Sequence, residues 1–245
     1  MDYGTYLRLD ELLDLQTVQS SPEHPDELLF IIVHQASELW FRVLLHELEQ
    51  LVESMSGFDT MRALLATQRV NVLTEIVAQQ LTALDTLPPQ RFAQFRSYLG
   101  SSSGSQSVQF RAIEATAGLR DEHFLAAIRE HGDPPAVLAR ALSRPTLQAL
   151  ALALLEHEHV DLETLYTGPG PTPLFLLVEG LLEFEQRFAR WRFLHVQLVE
   201  RIIGPGTTGT GGTLGAKYLA RTVSQRFFPA LWAVRSSFYG AARAP

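Results

Sequence analysis

Two stretches of about thirty residues, 26–55 and 174–203, constrain this chain more than any other feature. In the first, Phe30, Val33, Leu39, Trp40, Val43, Leu44, Leu48 and Leu51 recur at steps that fit a helical repeat. That spacing lines apolar side chains along one face of an α-helix. In the second, Phe188, Trp191, His195, Leu198 and Ile202 follow one another at spacings of three and four. Pro25-Asp26 opens the first helix and Gly57 stops it. A further long helix is expected over residues 61–87, ended by Pro88-Pro89, and a shorter one over 89–99, after which "GSSSGS" breaks the chain. Helical spacing resumes over 106–116 and in pieces around 121–130, 134–143 and 145–157, with "TGPGPTP" at 167–173 as the clearest linker. A Gly/Thr loop, "GPGTTGTGGTLG", follows the second long helix and leads into a last helix through Tyr218 to about Tyr239. No strand-period alternation and no internal repeat compete with this pattern. The expectation is an all-α fold of long antiparallel helices forming a bundle, with residues 1–245 as one domain.

Charge and cysteine content narrow the chemistry. Twenty Lys and Arg against 27 Asp and Glu leave a net charge of −7, which argues against a nucleic-acid or anionic-membrane surface and for small-molecule or protein partners. The start, "MDYGTYLRLDELLDL", is acidic where a signal peptide needs a basic region. Uninterrupted apolar runs such as "LLFIIV" fall short of the ~20 residues that span a bilayer. A soluble, cytoplasmic chain is expected. Cysteine is absent, so thiolate nucleophiles, cysteine zinc sites, iron–sulfur clusters and thiolate-ligated haem are all excluded. Any metal must be held by histidine or oxygen ligands.

Three places could carry chemistry. His34 lies in "FIIVHQASELWF" four residues after Phe30, so an aromatic ring and an imidazole share one helix face. A core histidine bonded to a carbonyl or to Glu38 would produce the same pattern. In "RFAQFR", Phe92 and Arg96 repeat the spacing; a guanidinium beside an aromatic face suits an amino-acid carboxylate, although a surface ion pair is the commoner fate of an arginine. His195 sits in the middle of the second apolar stripe, where a neutral imidazole could serve as a haem ligand or simply be a satisfied core residue. "GPGTTG" has the glycine spacing of a dinucleotide loop but follows a helix, and "EHEH" at 156–159 offers a single Glu-x-x-His where a di-iron bundle needs two. Neither is taken as a site.

Four blocks in order, "YGTYLRLDELLDLQ", "HPDELLFIIVHQASELWFRVLLHELE", "FRSYLGSSSGSQSVQFRAIE" and "WRFLHVQLVERIIGPGTTGTGGTLGAKYL", resemble the tryptophan 2,3-dioxygenase family over most of the chain. The resemblance implies an all-helical haem enzyme, a homotetramer or a dimer. It would insert both atoms of O₂ across the indole C2–C3 bond of L-tryptophan, giving N-formylkynurenine in tryptophan catabolism by the kynurenine pathway. Its cofactor would be haem b with ferrous iron, and O₂ its co-substrate. Residue by residue, it implies that His195 is the axial haem ligand and that His34 is the catalytic histidine that accepts the indole N–H. Phe30 and Phe92 would pack on the indole, Arg96 would hold the carboxylate, and Thr210 would reach the ammonium or carboxylate. Ser103 and Gly104 would lie beside haem and substrate, and Tyr3 and Tyr6 would complete the pocket of a neighbouring subunit.

The chain departs from the family at "SGSQS", where "SGFQS" is usual, so Ser105 stands in place of a large aromatic. The family's "GNK" is missing at Gly118-Leu119-Arg120. These departures bear on the substrate rather than on His195 or Arg96. They leave open a monooxygenase acting on a substituted tryptophan, or a haem or indole sensor without turnover.

Overall fold

A computed structural model describes residues 1–120, 122–130, 132–207 and 215–240. Thirteen α-helices and no strand occur among them. They are α1 (Tyr3–Leu7), α2 (Leu9–Leu13), α3 (Glu27–Ser56), α4 (Thr60–Gln80), α5 (Pro89–Phe95), α6 (Val108–Ala117) and α7 (Glu122–Glu130). Then follow α8 (Ala136–Ser143), α9 (Leu147–His157), α10 (Leu162–Thr167), α11 (Pro173–Ile203), α12 (Ala216–Val223) and α13 (Pro229–Gly240). The all-α expectation is met, and the two long helices fall within a residue or so of the expected bounds.

The helix ends follow from local chemistry. Gly57 closes α3, donating its N–H to the Glu53 carbonyl, and two residues later Asp59 opens α4 by accepting the Arg62 N–H at 3.0 Å. So short a connection forces α3 and α4 antiparallel. Thr172 caps α11 through the Phe175 N–H, with Pro173 at the first helical position, where its missing N–H costs nothing.

α4 packs against both α3 and α11, with α6, α8 and α9 on the other flank of α3. α4 and α11 meet closely at Gly180: a Cβ there would meet the Thr67 Cγ2 methyl at 2.8 Å, and Asn71 donates to the Gly180 carbonyl at 3.0 Å. Glycine leaves room for the Thr67 side chain. The main core runs through Leu44, Leu48 and Leu51 of α3, Val70 of α4, Ile113 of α6, and Leu181 and Phe184 of α11. A second cluster joins Val33, Leu81, Leu84, Leu87, Phe92, Phe95, Leu198 and Ile202, and Trp191 packs against both.

Three expectations are corrected. The helix expected to reach residue 87 ends at Gln80 and continues as a 3₁₀ turn over Leu81–Thr86; α5 likewise stops at Phe95 and tightens into a 3₁₀ turn over Arg96–Leu99. The last helix is two helices, α12 and α13. Pro229 disfavours helical backbone at the residue before it, and the buried Glu185 carboxylate takes the N–H groups of Phe227 (2.6 Å) and Phe228 (2.8 Å) that a continuous helix would use. Finally, α3 as a whole is long and apolar enough to cross a membrane by length and composition, which the short uninterrupted apolar runs did not reveal.

Candidate active site

α3 and α11 both lean on α4, and each carries one of the two histidines singled out from the sequence. His34 Nδ1 lies 2.7 Å from the carbonyl oxygen of Phe30, one turn back on α3. A carbonyl can only accept, so Nδ1 carries the proton and donates it. In the neutral ring Nε2 is then an open acceptor. The carbonyl partner is the one that the reading of His34 as a core residue foresaw, yet the side chain is not sealed in the core: it is open to solvent on one side. Surrounding protein still pushes its pKa below the usual 6.5, against smaller upward pulls from the Phe30 carbonyl and the Glu38 charge.

His195 is half-buried on α11 between the buried Phe188, Leu198 and Ile202. Its pKa is pushed down to about 4, chiefly by burial and secondarily by the charge of His34. The charge of His34 reaches His195 although 161 positions separate them in the chain, which places the two imidazoles on the same side of the fold. His195 stacks on Trp191, one turn back, with ring centroids 5.2 Å apart. Neither His195 ring nitrogen has a hydrogen bond to a described residue, and the buried Trp191 Nε1 also lacks a partner. A neutral imidazole with an unclaimed nitrogen, set in apolar surroundings, is the donor chemistry a haem iron takes from a protein. The unpaired indole N–H beside it marks the place as built around something other than side chains alone. These residues fit a haem.

The aromatic wall beside His34 comes from two elements. Phe30 lies 4.2 Å from the His34 ring and 5.5 Å from Phe92, centroid to centroid, and Phe95 closes the group at 5.8 Å from Phe30 and 5.3 Å from Phe92. α5 is held there by ties to the chain entering α3: the Arg91–Asp26 ion pair, His24 Nε2 with Gln94 at 2.9 Å, and the Tyr98 hydroxyl donating to the Ser21 carbonyl at 2.8 Å. Arg96 is half-buried at the end of α5, its backbone N–H bonded to the Phe92 carbonyl, so the pair stays one turn apart. Phe30, His34, Phe92 and Arg96 thus share one corner of the molecule.

The other expected residues lie on other segments of the chain. Ser103 caps a short 3₁₀ turn over Gly104–Gln106, and its hydroxyl lies 2.9 Å from that of Ser105. Ser103 and Gly104 form no hydrogen bond with the His34 group. Tyr3 and Tyr6 project from α1 at 74% and 72% exposure, away from any packed surface of their own chain. Thr210 lies outside the described residues. Two participants went unnamed as site residues: Phe95, whose signal was its place three residues after Phe92, and Trp191, which was visible in the stripe four residues before His195.

Comparison with known proteins places the chain among relatives. A sequence model of the tryptophan 2,3-dioxygenase family matches residues 1–165 and 162–238. The tryptophan 2,3-dioxygenase of Nocardioides sp. is 40% identical over 254 residues, covering 96% of this chain and 94% of the relative. Those of Kineococcus radiotolerans and Caulobacter vibrioides are each 38% identical over 96% of this chain, and 91% and 98% of their own lengths are covered. With matches along almost its entire length and two histidines brought together from distant helices, the chain belongs to the tryptophan 2,3-dioxygenase family.

Proposed function

We propose that this protein is a haem-dependent oxidoreductase that converts L-tryptophan and O₂ to N-formylkynurenine, a step of tryptophan catabolism. The observation that carries the reading is the pairing of two neutral imidazoles with opposite tasks. His195 has nitrogens that no described side chain claims, and His34 has its proton committed to Phe30 and its Nε2 open. Both oxygen atoms of O₂ end in the product, so no external reductant is consumed.

His195 would hold the iron of one b-type haem per chain, and that group, when bound, would supply the chemistry that activates O₂. The protein contributes positioning and exclusion of water. Phe30 and Phe92 would flank the indole, whose N–H can only donate and would give its hydrogen bond to His34 Nε2. Arg96 would bind the carboxylate through its planar fork, and Thr210 would assist at the amino-acid end. Ser103 and Gly104 would lie along the haem. In a cytoplasmic homotetramer, Tyr3 and Tyr6 would reach the pocket of a neighbouring subunit, which suits two exposed aromatic rings with nothing of their own chain to pack on.

The decisive experiment incubates the reduced, haem-loaded protein with tryptophan under labelled O₂ and counts labelled atoms in the product by mass. Two atoms in N-formylkynurenine are expected; one atom, or no turnover, would refute the dioxygenase reading. His195→Ala should abolish stable haem uptake with helix content retained by circular dichroism.

A further inference from the structure

One buried cation fastens three parts of the chain around the helix that carries His195. Arg192, on α11 three residues before His195, is 3% exposed. Its Nη2 donates to Glu114 Oε1 of α6 at 2.6 Å. Its Nη1 donates to the carbonyls of Thr222 (3.1 Å) and Gln225 (3.4 Å), at the C-terminal end of α12 and just beyond it. A guanidinium at a helix C-terminus satisfies carbonyls that the helix leaves open. The guanidinium also lies against a pair of touching rings, with its carbon 4.9 Å from the Phe188 centroid and 5.1 Å from that of Phe227, the two centroids being 5.1 Å apart. Glu114 has a second partner in Arg111, at 2.8 Å. The far end of α6 closes on the same place: a Cβ at Gly118, where φ is 145°, would meet the Phe227 carbonyl oxygen at 2.7 Å.

We propose that Arg192 and Glu114 are positioning residues that set the roll of α11, and so the direction in which His195 presents its ring. The inference rests on the reading of His195 as haem ligand. Side chains three apart on a helix point about 60° away from each other, so a clamp on Arg192 fixes the azimuth of His195 without touching it. A buried ion pair adds little stability beyond what apolar packing of the same volume would give. What this one supplies is direction: one end of the fork is assigned to α6, the other to the carbonyls at the end of α12 and just beyond, and one flank to the Phe188–Phe227 ring pair. Lysine, a point donor without faces, cannot reproduce that assignment. α6 follows directly on the Ser103–Gln106 turn, so the same pair also sets the distance between that turn and α11.

The test compares the haem-loaded parent with Arg192→Lys and Glu114→Gln, and uses Leu154→Ala, a buried α9 position away from the clamp, as a control of lowered stability. Ferric haem transfer to excess apomyoglobin gives the loss rate, resonance Raman of the ferrous protein gives the iron–histidine stretch, and apo-protein melting gives stability. Arg192→Lys should lose haem about 10-fold faster, as outer-shell changes around metal ligands do, and shift the stretch. Leu154→Ala should melt lower with parental rate and band. If Arg192→Lys does not fold, Glu114→Gln is read against the same expectations. A parental rate and band in the clamp variants, or the same change in Leu154→Ala, would overturn the clamp alone. A parent that takes up no haem would overturn the ligand reading together with it.

Discussion

His34→Ala removes the one acceptor that the neutral imidazole leaves open. Because Nδ1 is held by Phe30 at 2.7 Å, Nε2 faces outward with a lone pair, and the indole N–H is its expected partner. Without it, a donor packed against Phe30 and Phe92 loses that acceptor. An unpaired buried donor costs about 1–3 kcal/mol. His34 is open to solvent on one side, so water can enter the space left by the ring and the cost should fall toward the low end. About 1–2 kcal/mol corresponds to roughly a 5- to 30-fold loss in kcat/KM for tryptophan. The control substrate is N1-methyltryptophan, which has no N–H to lose. The parent's preference for tryptophan over the methylated compound should shrink by the same factor in His34→Ala, measured as steady-state product formation at matched haem occupancy. The pH profile adds a second reading. Burial holds the His34 pKa below 6.5, so kcat/KM should be level above pH 6.5 and decline only on the acid side as the ring takes up a proton. That decline should be missing in His34→Ala. An equal loss for both substrates, with the acid limb unchanged, would show that His34 does not receive the indole N–H.

Arg96→Lys should raise KM for tryptophan sharply, and tryptamine should be a poor substrate of the parent; equal turnover of tryptamine and tryptophan would reassign Arg96 to a structural role. Glu185 accepts from Phe227 N, Phe228 N, Trp232 Nε1 (2.7 Å) and Arg226 Nη1 (2.9 Å), and an amide oxygen can serve only part of that set. Glu185→Gln should therefore cost about 3 kcal/mol and lower Tm by about 6–12 °C in a thermal melt. In the apo protein both histidines are pushed below 6.5, so the unfolded chain binds more protons on the acid side. Stability should be whole above pH 6.5 and lost as pH falls toward about 4, where His195 itself titrates, and urea midpoints across that range measure it. Ser105→Phe should shift relative kcat/KM from a ring-methylated tryptophan toward tryptophan, since a Phe side chain fills about 150–250 Å² of surface that Ser leaves open; an unchanged ratio would exclude Ser105 from specificity.

Much of this protein is legible along the chain because its main forces are periodic. The 3.6-residue repeat writes α3 and α11 directly into the order of apolar residues, and Gly57 and Gly204 mark where they stop. The same repeat pairs Phe30 with His34 and Trp191 with His195, since residues four apart are neighbours on any helix. Resemblance to a family then attached chemistry to those pairs. What the chain order does not contain is which turn of one helix meets which turn of another. Phe30 and Phe92 are 62 positions apart, and they meet only because Asp26, His24 and Ser21 each find a partner on or just after α5. The break between α12 and α13 is visible only once Glu185, 42 residues earlier, is seen taking the Phe227 N–H. The proton on His34 is assigned by the approach of Nδ1 to a carbonyl, and the Arg192–Glu114 pair joins residues 78 apart. Periodicity is a local property that one helix satisfies by itself. The matching of donors to acceptors, and of one azimuth to another, exists only between elements, and it is decided when they pack.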